Sequence, residues 1–382
     1  MNRRTGLVLA GVITVAVLAL GYAWRAPTVA VRKPHSVWTL QDWSGTTLGE
    51  FNELDQSTGI LATNHDRRRI SFGSQIADWQ APLSLPGTDR NLVHHRALII
   101  HDRFDKVALD TATGAEIWRT RVDTETAARD DYSTDGEVLG GDRLALWDRY
   151  GPMKALDPNT GRIVWTVPKV DKRLDDIVAC AIAEVGPIVC TWTGQHLTRG
   201  GLFALDRDTG ARLWSTDLPT RSEGGISGPM IDHERIVVLA GDRKVRSWDH
   251  DGTLRWTTSM PDAGWHPPVP VPDGTIFVPG RVGYFAQLRA SDGHVLWRTH
   301  LPGIGWNFTV APGPPWKVAF ESTYDKTRVA VVNLTSRQLY VLHFDQPEEL
   351  QESSFNIGQY SGRLYLRGGA EHRSRLDAYD DW

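Results

Sequence analysis

The chain is 382 residues long, enough to bury a sizeable core without disulfide or metal staples. Its formal net charge is −4 and it has no long basic block. That argues against a nucleic-acid partner, because phosphate recognition needs a clustered positive field.

Met1-Asn2-Arg3-Arg4 is a short basic start, and residues 6–24 follow without a charge. As a helix they would span about 28 Å, close to the roughly 30 Å hydrocarbon core of a bilayer. Tyr22 and Trp24 stand at the far end, where amphipathic aromatics favour the interface. Arg3 and Arg4 would hold the N-terminus in the cytoplasm. Residues 1–24 are therefore expected to be a cytoplasmic N-terminus and one transmembrane helix, with everything after Arg25 on the extracytoplasmic side of the cell membrane. A cleaved signal peptide ending near Thr28-Val29-Ala30 is the rival reading; the apolar run exceeds the roughly 7–15 residues of a signal core.

Residues 25–74 are a linker, a strap over one face, or a degenerate blade. Leu54-Asp55-Gln56-Ser57-Thr58-Gly59 echoes the repeat described next but lacks its tryptophan. Arg67-Arg68-Arg69 reads as a solvated loop, with an anionic lipid surface as the alternative contact.

From about residue 75 an internal repeat decides the fold. Ala108-Leu109-Asp110 through Thr113-Gly114 to Trp118 recurs as Ala155-Leu156-Asp157 through Thr160-Gly161 to Trp165, and again as Ala204-Leu205-Asp206 through Thr209-Gly210 to Trp214. Weaker copies end at Trp256 and Trp297, and Val332-Asn333 to Tyr340 is degenerate. Tryptophans 79, 118, 165, 214, 256 and 297 stand 39 to 49 residues apart, a period that suits four short strands and their turns. Ala-Leu-Asp ends one strand, Thr-Gly closes a tight hairpin, and the tryptophan lies on the outer strand. There its ring can wedge against the neighbouring blade. Trp79, Trp118, Trp165, Trp214, Trp256 and Trp297 are thus the expected docking residues.

The fold expected is all-β: a seven-bladed propeller, or eight-bladed if residues 25–74 supply a blade, of four-stranded antiparallel blades over residues 75–382 and preceded by the N-terminal helix. Ile76-Ala77-Asp78-Trp79-Gln80 is expected to close the ring against Leu376-Asp377-Ala378-Tyr379, hiding both sheet edges.

The repeated Ala-x-Asp-x-x-Thr-Gly-x-x-x-Trp pattern resembles the tryptophan-docking repeat of the quinoprotein (PQQ-like) propellers, including BamB-type assembly scaffolds. The resemblance is specific for fold. The family holds both dehydrogenases and non-catalytic scaffolds, so it leaves function open. It implies, for a dehydrogenase, an adjacent Cys-Cys pair beneath the cofactor, and in some members Cys-x-x-Cys-His for haem; this chain has neither. No cofactor is expected.

Other candidate chemistry reads as structural. His94, His95 and His101 are read as surface or turn residues, because strand neighbours point to opposite faces. Asp249-His250-Asp251-Gly252 opens like a calcium loop but lacks the later ligands. Asn307-Phe308-Thr309 and Asn333-Leu334-Thr335 are incidental sequons. No catalytic, metal or cofactor-binding residue is assigned. Cys180 and Cys190 are predicted to face each other across a hairpin whose loop is Glu184-Val185-Gly186, within disulfide range.

The function expected is a non-catalytic, membrane-tethered scaffold whose partners are other extracytoplasmic or membrane proteins, with the membrane itself met through residues 6–24. Resemblance to the BamB type points to envelope assembly. The alternative is a small-molecule or glycan binder using Trp265-His266-Pro267-Pro268 and Gly305-Trp306-Asn307-Phe308 at the channel mouth; a PQQ-dependent dehydrogenase ranks third.

Overall fold

Runs such as Ile236-Val237-Val238-Leu239-Ala240 are apolar at every position and bounded by turn residues, which is the pattern of a strand covered on both faces. In the computed structural model all five are buried. It describes residues 30–32, 36–40, 48–53, 58–63, 66–71, 77–82, 92–102, 105–122, 136–147, 152–168, 176–194, 199–220, 225–262, 264, 266–280, 283–300, 304–310, 317–322, 328–343, 354–357, 364–370 and 373–379.

The described strands form eight sheets, each a four-stranded antiparallel blade at its core. Blade 1 is Leu48–Glu53, Thr58–Thr63, Asp66–Ser71 and Ala77–Pro82. Blade 2 is Leu92–His94, Ala97–Asp102, Asp105–Asp110 and Glu116–Arg121. Blade 3 is Gly136–Gly140, Arg143–Trp147, Met153–Leu156 and Ile163–Val167. Blade 4 is Asp176–Ile182, Ile188–Thr193, Gly200–Leu205 and Arg212–Leu218. Blade 5 is Met230–Ile231, Ile236–Ala240, Lys244–Trp248 and Leu254–Ser259. Blade 6 is Val269–Val271, Thr275–Pro279, Tyr284–Arg289 and Val295–His300. Blade 7 is Ile304–Val310, Lys317–Ser322, Arg328–Asn333 and Gln338–His343. Blade 8 takes Ser354–Ile357, Leu364–Ala370 and Arg373–Tyr379 from the C-terminal end and Ser36–Leu40 from the N-terminal end.

One open alternative is decided and two expectations are corrected. Among the described residues the blades number eight, the alternative count, and residues 48–82 form one of them. The ring is closed by Ser36–Leu40 on Arg373–Tyr379, with Trp38 opposite Ala378, and not by the strand carrying Trp79, which pairs within blade 1 opposite Arg69. Finally, the predicted N-terminal transmembrane helix, and with it the single-pass topology with a cytoplasmic N-terminus, is not supported. Every regular element described is a strand, and among the described residues no helix is long and apolar enough to cross a membrane. Residues 6–24 lie outside the described residues.

The core sits between blades. One cluster joins Trp147 and Trp165 of blade 3 to Ile188 and Phe203 of blade 4; another joins Val237 and Val245 of blade 5 to Ile276 and Leu288 of blade 6. A one-residue bulge shapes these seams. In blade 4, Arg212 pairs with Leu205 and Trp214 with Ala204, leaving Leu213 extra. The same slip occurs immediately before Trp38, Trp79, Trp118, Trp165, Trp256 and Trp297. A bulge bends its strand and re-aims the next side chain. Blade 7 is the exception: its outer strand pairs without a slip and carries Tyr340 instead of tryptophan. Its outer edge receives a fifth strand, Ala30–Arg32, in parallel.

Candidate functional site

The repeated motif builds one joint at successive seams. The indole Nε1–H of four repeat tryptophans donates to a main-chain carbonyl in the next blade's hairpin: Trp118 to Pro158 at 3.0 Å, Trp165 to Arg207 at 2.8 Å, Trp214 to His250 at 2.8 Å and Trp256 to Ala290 at 3.0 Å. The ring lies on the glycine of that hairpin. A Cβ at Gly161 would stand 2.5 Å from the Trp118 ring, and one at Gly293 would stand 2.4 Å from the Trp256 ring. Both glycines also have φ of 71°, so the position excludes a side chain twice over.

The aspartate of the motif ties the same hairpin. Asp110 accepts the N–H groups of Ala112 and Thr113, each at 2.9 Å. Asp206 accepts the Thr209 hydroxyl at 2.7 Å and its N–H at 2.8 Å. The Thr209 hydroxyl and N–H hold the Asp206 carboxyl below the ordinary carboxylate range. For Asp110 burial pushes upward, and the bonds from Ala112 and Thr113 outweigh it, so its carboxyl also stays low.

Charged residues add to two seams. Between blades 3 and 4, Arg143 pairs with Asp208 at 2.5 Å while Arg207 pairs with Asp142 at 2.7 Å. Between blades 2 and 3, Lys106 and Glu137 form an ion pair with side chains only 1% and 5% exposed. Lys154 donates to the carbonyl of Val122 nearby.

Other sequence candidates fall as follows. Trp297 packs into the cluster between blades 6 and 7, with its ring 5.8 Å from that of Phe285. Cys180 and Cys190 lie directly opposite each other in blade 4 and are joined by a disulfide. His94 and His95 sit at a hairpin with ring centroids 4.3 Å apart, while His101 is buried on the next strand, opposite Lys106. Burial, then the neighbouring His95, hold His94 below the usual histidine range. In the Asp249–Gly252 hairpin the Asp249 carboxylate takes Arg255 at 2.6 Å, and Asp251 accepts the Thr253 N–H at 2.9 Å. Arg67, Arg68 and Arg69 are on a strand of blade 1 and Arg67 is fully buried, so that run is not a solvated loop. Trp265 lies outside the described residues; residues 305–308 form part of the inner strand of blade 7.

Sequence reasoning missed Trp38 and the threonine two places after the tryptophan. Thr120 donates to Gly161 O and Thr258 to Gly293 O, both at 2.7 Å. The signal was present: Trp-x-Thr recurs at 118–120, 214–216, 256–258 and 297–299.

The residues do not fit PQQ with a bound calcium. The two cysteines are ten apart and joined across strands rather than adjacent. Among the described residues no cluster of three histidines, cysteines or acids could hold a metal ion.

A family model described as outer membrane protein assembly factor BamB matches residues 103–173, 149–264 and 246–313, together more than half of the chain. Quinoprotein ethanol dehydrogenase of Pseudomonas aeruginosa is 26% identical over 179 residues, 41% of this chain and 28% of that protein. Outer membrane protein assembly factor BamB of Yersinia pestis is 27% identical over 210 residues, 50% of each chain. The chain thus spans half or less of these curated relatives. Among solved structures, BamB from Moraxella catarrhalis superposes with a TM-score of 0.61 at 15% identity, over 91% of this chain and 100% of that one. Quinohemoprotein alcohol dehydrogenase from Comamonas testosteroni gives 0.57 at 11% identity, over 91% and 76%. Those two likenesses show the fold alone. With the docking joints repeated seam after seam and the family model matched across residues 103–313, the chain belongs to the PQQ-like propeller family described as outer membrane protein assembly factor BamB.

Proposed function

We propose that this chain is a non-catalytic, extracytoplasmic propeller that binds other proteins, in a role of the envelope-assembly kind. The observation that carries this reading is the family match over residues 103–313. The disulfide between Cys180 and Cys190 supports the compartment, because such bonds persist where the surroundings are oxidising. Eight blades joined by side chains and hairpins give a rigid frame whose rim loops are free to vary, the usual division between scaffold and recognition surface.

The dehydrogenase reading has the quinoprotein relatives on its side and the donor set against it. The two are separated by adding PQQ and calcium to the purified chain. No thermal shift and no dye-linked alcohol oxidation are expected. Saturable binding with turnover would replace the scaffold reading by an enzyme.

A further inference from the structure

Blade 7 departs from the others at its outer edge. Its last hairpin is the common one: Asn333 accepts the N–H groups of Thr335 and Ser336, as the motif aspartate does elsewhere. In blade 4 the ladder then slips, so that Leu213 is extra and Trp214 follows. In blade 7 it does not slip: Leu339 pairs with Val332, and Tyr340 follows opposite Val331. Gln338–His343 thus runs for 6 residues without a bulge. Bulges guard an edge strand against further pairing, because they bend the strand and break the ladder. The outer strands of the other blades carry that guard, and this one lacks it.

The chain itself uses the opening. Ala30–Arg32 pairs in parallel with Tyr340, Val341 and Leu342, which is half of the strand. Parallel pairing is slightly weaker per residue than antiparallel pairing. Pro34 stands two places further on, and without an N–H it cannot lengthen the ladder. Ser36–Leu40 then pairs antiparallel in blade 8. Residues 30–40 therefore bond two blades, and the part on blade 7 is the shorter and the weaker. The strand beneath it is firmly set, since Leu339, Tyr340 and Leu342 are buried. Its side chains belong to the core, and its outer main chain is what a further strand can bond.

We propose that the outer edge of blade 7 is a strand-addition site, where an extended segment of a partner protein displaces Ala30–Arg32 and continues the sheet. The segment it fits is free of proline along the length of Gln338–His343 and rich in strand-forming residues, as Thr28-Val29-Ala30-Val31 is. In this mode of recognition the main-chain bonds along the edge supply the affinity. The proposal rests on the protein-binding reading above and names the surface and the form of the partner.

The test compares two full-chain variants with wild type. In the opened variant, Ala30→Pro with Val31→Pro, the resident strand loses its donors. In the guarded variant a leucine is added between Leu339 and Tyr340 and Tyr340→Trp is made, copying Leu213-Trp214 of blade 4. The probe is the fluorescein-labelled peptide Thr-Val-Ala-Val-Arg-Lys-amide, followed by anisotropy. The opened variant is expected to bind it at least about tenfold more tightly than wild type, because the edge is no longer occupied. The guarded variant should not bind it, nor should any chain bind a probe with prolines at its two central places. Bound probe should slow amide exchange within residues 338–343. Equal binding by the opened variant and wild type, or protection confined to other residues, would overturn the proposal. Should the opened variant fail to fold by near-UV circular dichroism, wild type and the guarded variant decide it at millimolar probe: binding by wild type alone supports the site, and equal behaviour of the two overturns it. If the guarded variant binds no probe yet captures from envelope extracts every protein that wild type captures, the edge is not the partner's site and the protein-binding reading stands.

Discussion

The indole of Trp165 and the carbonyl of Arg207 meet at 2.8 Å across the seam between blades 3 and 4. The same oxygen accepts Arg143 Nε at 3.2 Å, and the guanidinium of Arg207 reaches back to Asp142. One carbonyl therefore takes both an indole and a guanidinium of blade 3, and Arg207 itself bonds blade 3 a second time.

Trp165→Ala should lower stability by roughly 3–5 kcal/mol, the range for truncating a large buried aromatic. Trp165→Phe keeps most of the apolar area and loses the hydrogen bond, so about 1–3 kcal/mol is expected, with Arg207 O left to Arg143. Denaturant midpoints of the full chain measure both. Equal midpoints for wild type and Trp165→Ala would show that the ring does not hold the seam.

Gly210→Ala should be costly for two reasons. Its φ is 72°, and a Cβ would fall 2.8 Å from the Trp165 ring. Gly225→Ala is the control, since a Cβ there meets nothing within 4 Å. The first change should cost more than about 1 kcal/mol and the second less than about 0.5 kcal/mol. Comparable melting temperatures for the two variants would contradict the joint as described.

The buried pair of Lys106 and Glu137 predicts non-additivity. Lys106→Met alone leaves a carboxylate uncompensated and should cost roughly 3–5 kcal/mol. Adding Glu137→Leu should recover most of that loss, because both charges are then gone. A double variant no more stable than the single one would mean that Glu137 is neutralised by other groups.

Hairpin carboxylates predict the acid limb of stability. Asp110 and Asp206 are held below their ordinary range in the folded chain, so each binds its proton less readily than in the unfolded chain. Their contribution is full above the unfolded value of about 3.9 and is lost as pH falls through the lower folded value. Asp110→Asn with Asp206→Asn should flatten the loss of stability below about pH 4 and leave the slope above pH 5 unchanged. An unaltered acid limb would remove these two groups from the account.

The repeat made most of the fold legible, because a tryptophan, a glycine and an aspartate are each required by one joint and so recur at one spacing. The hairpin of Cys180 and Cys190 was legible by counting, since Ala181 opposite Val189 and Ile182 opposite Ile188 follow from the loop length. Closure was not. Trp38 stands 41 residues before Trp79 and fits the period, but the strand it pairs with, ending Leu376-Asp377-Ala378, lies at the other end of the chain. Local motif reading cannot join halves of one repeat separated by more than 300 residues. Blade 1 was obscured because its tryptophan pairs opposite Arg69, where blades 2, 3, 4 and 8 offer alanine.

The central claim, that this propeller works by binding proteins, is tested most directly by capture. The tagged full chain is cross-linked in its own cells, purified under denaturing conditions, and its adducts identified and then reassembled from purified components. The account predicts a discrete envelope-assembly protein that rebinds the purified chain with a defined stoichiometry. Recovery of the chain without a reproducible protein adduct, together with saturable binding of a small cofactor or sugar, would contradict it.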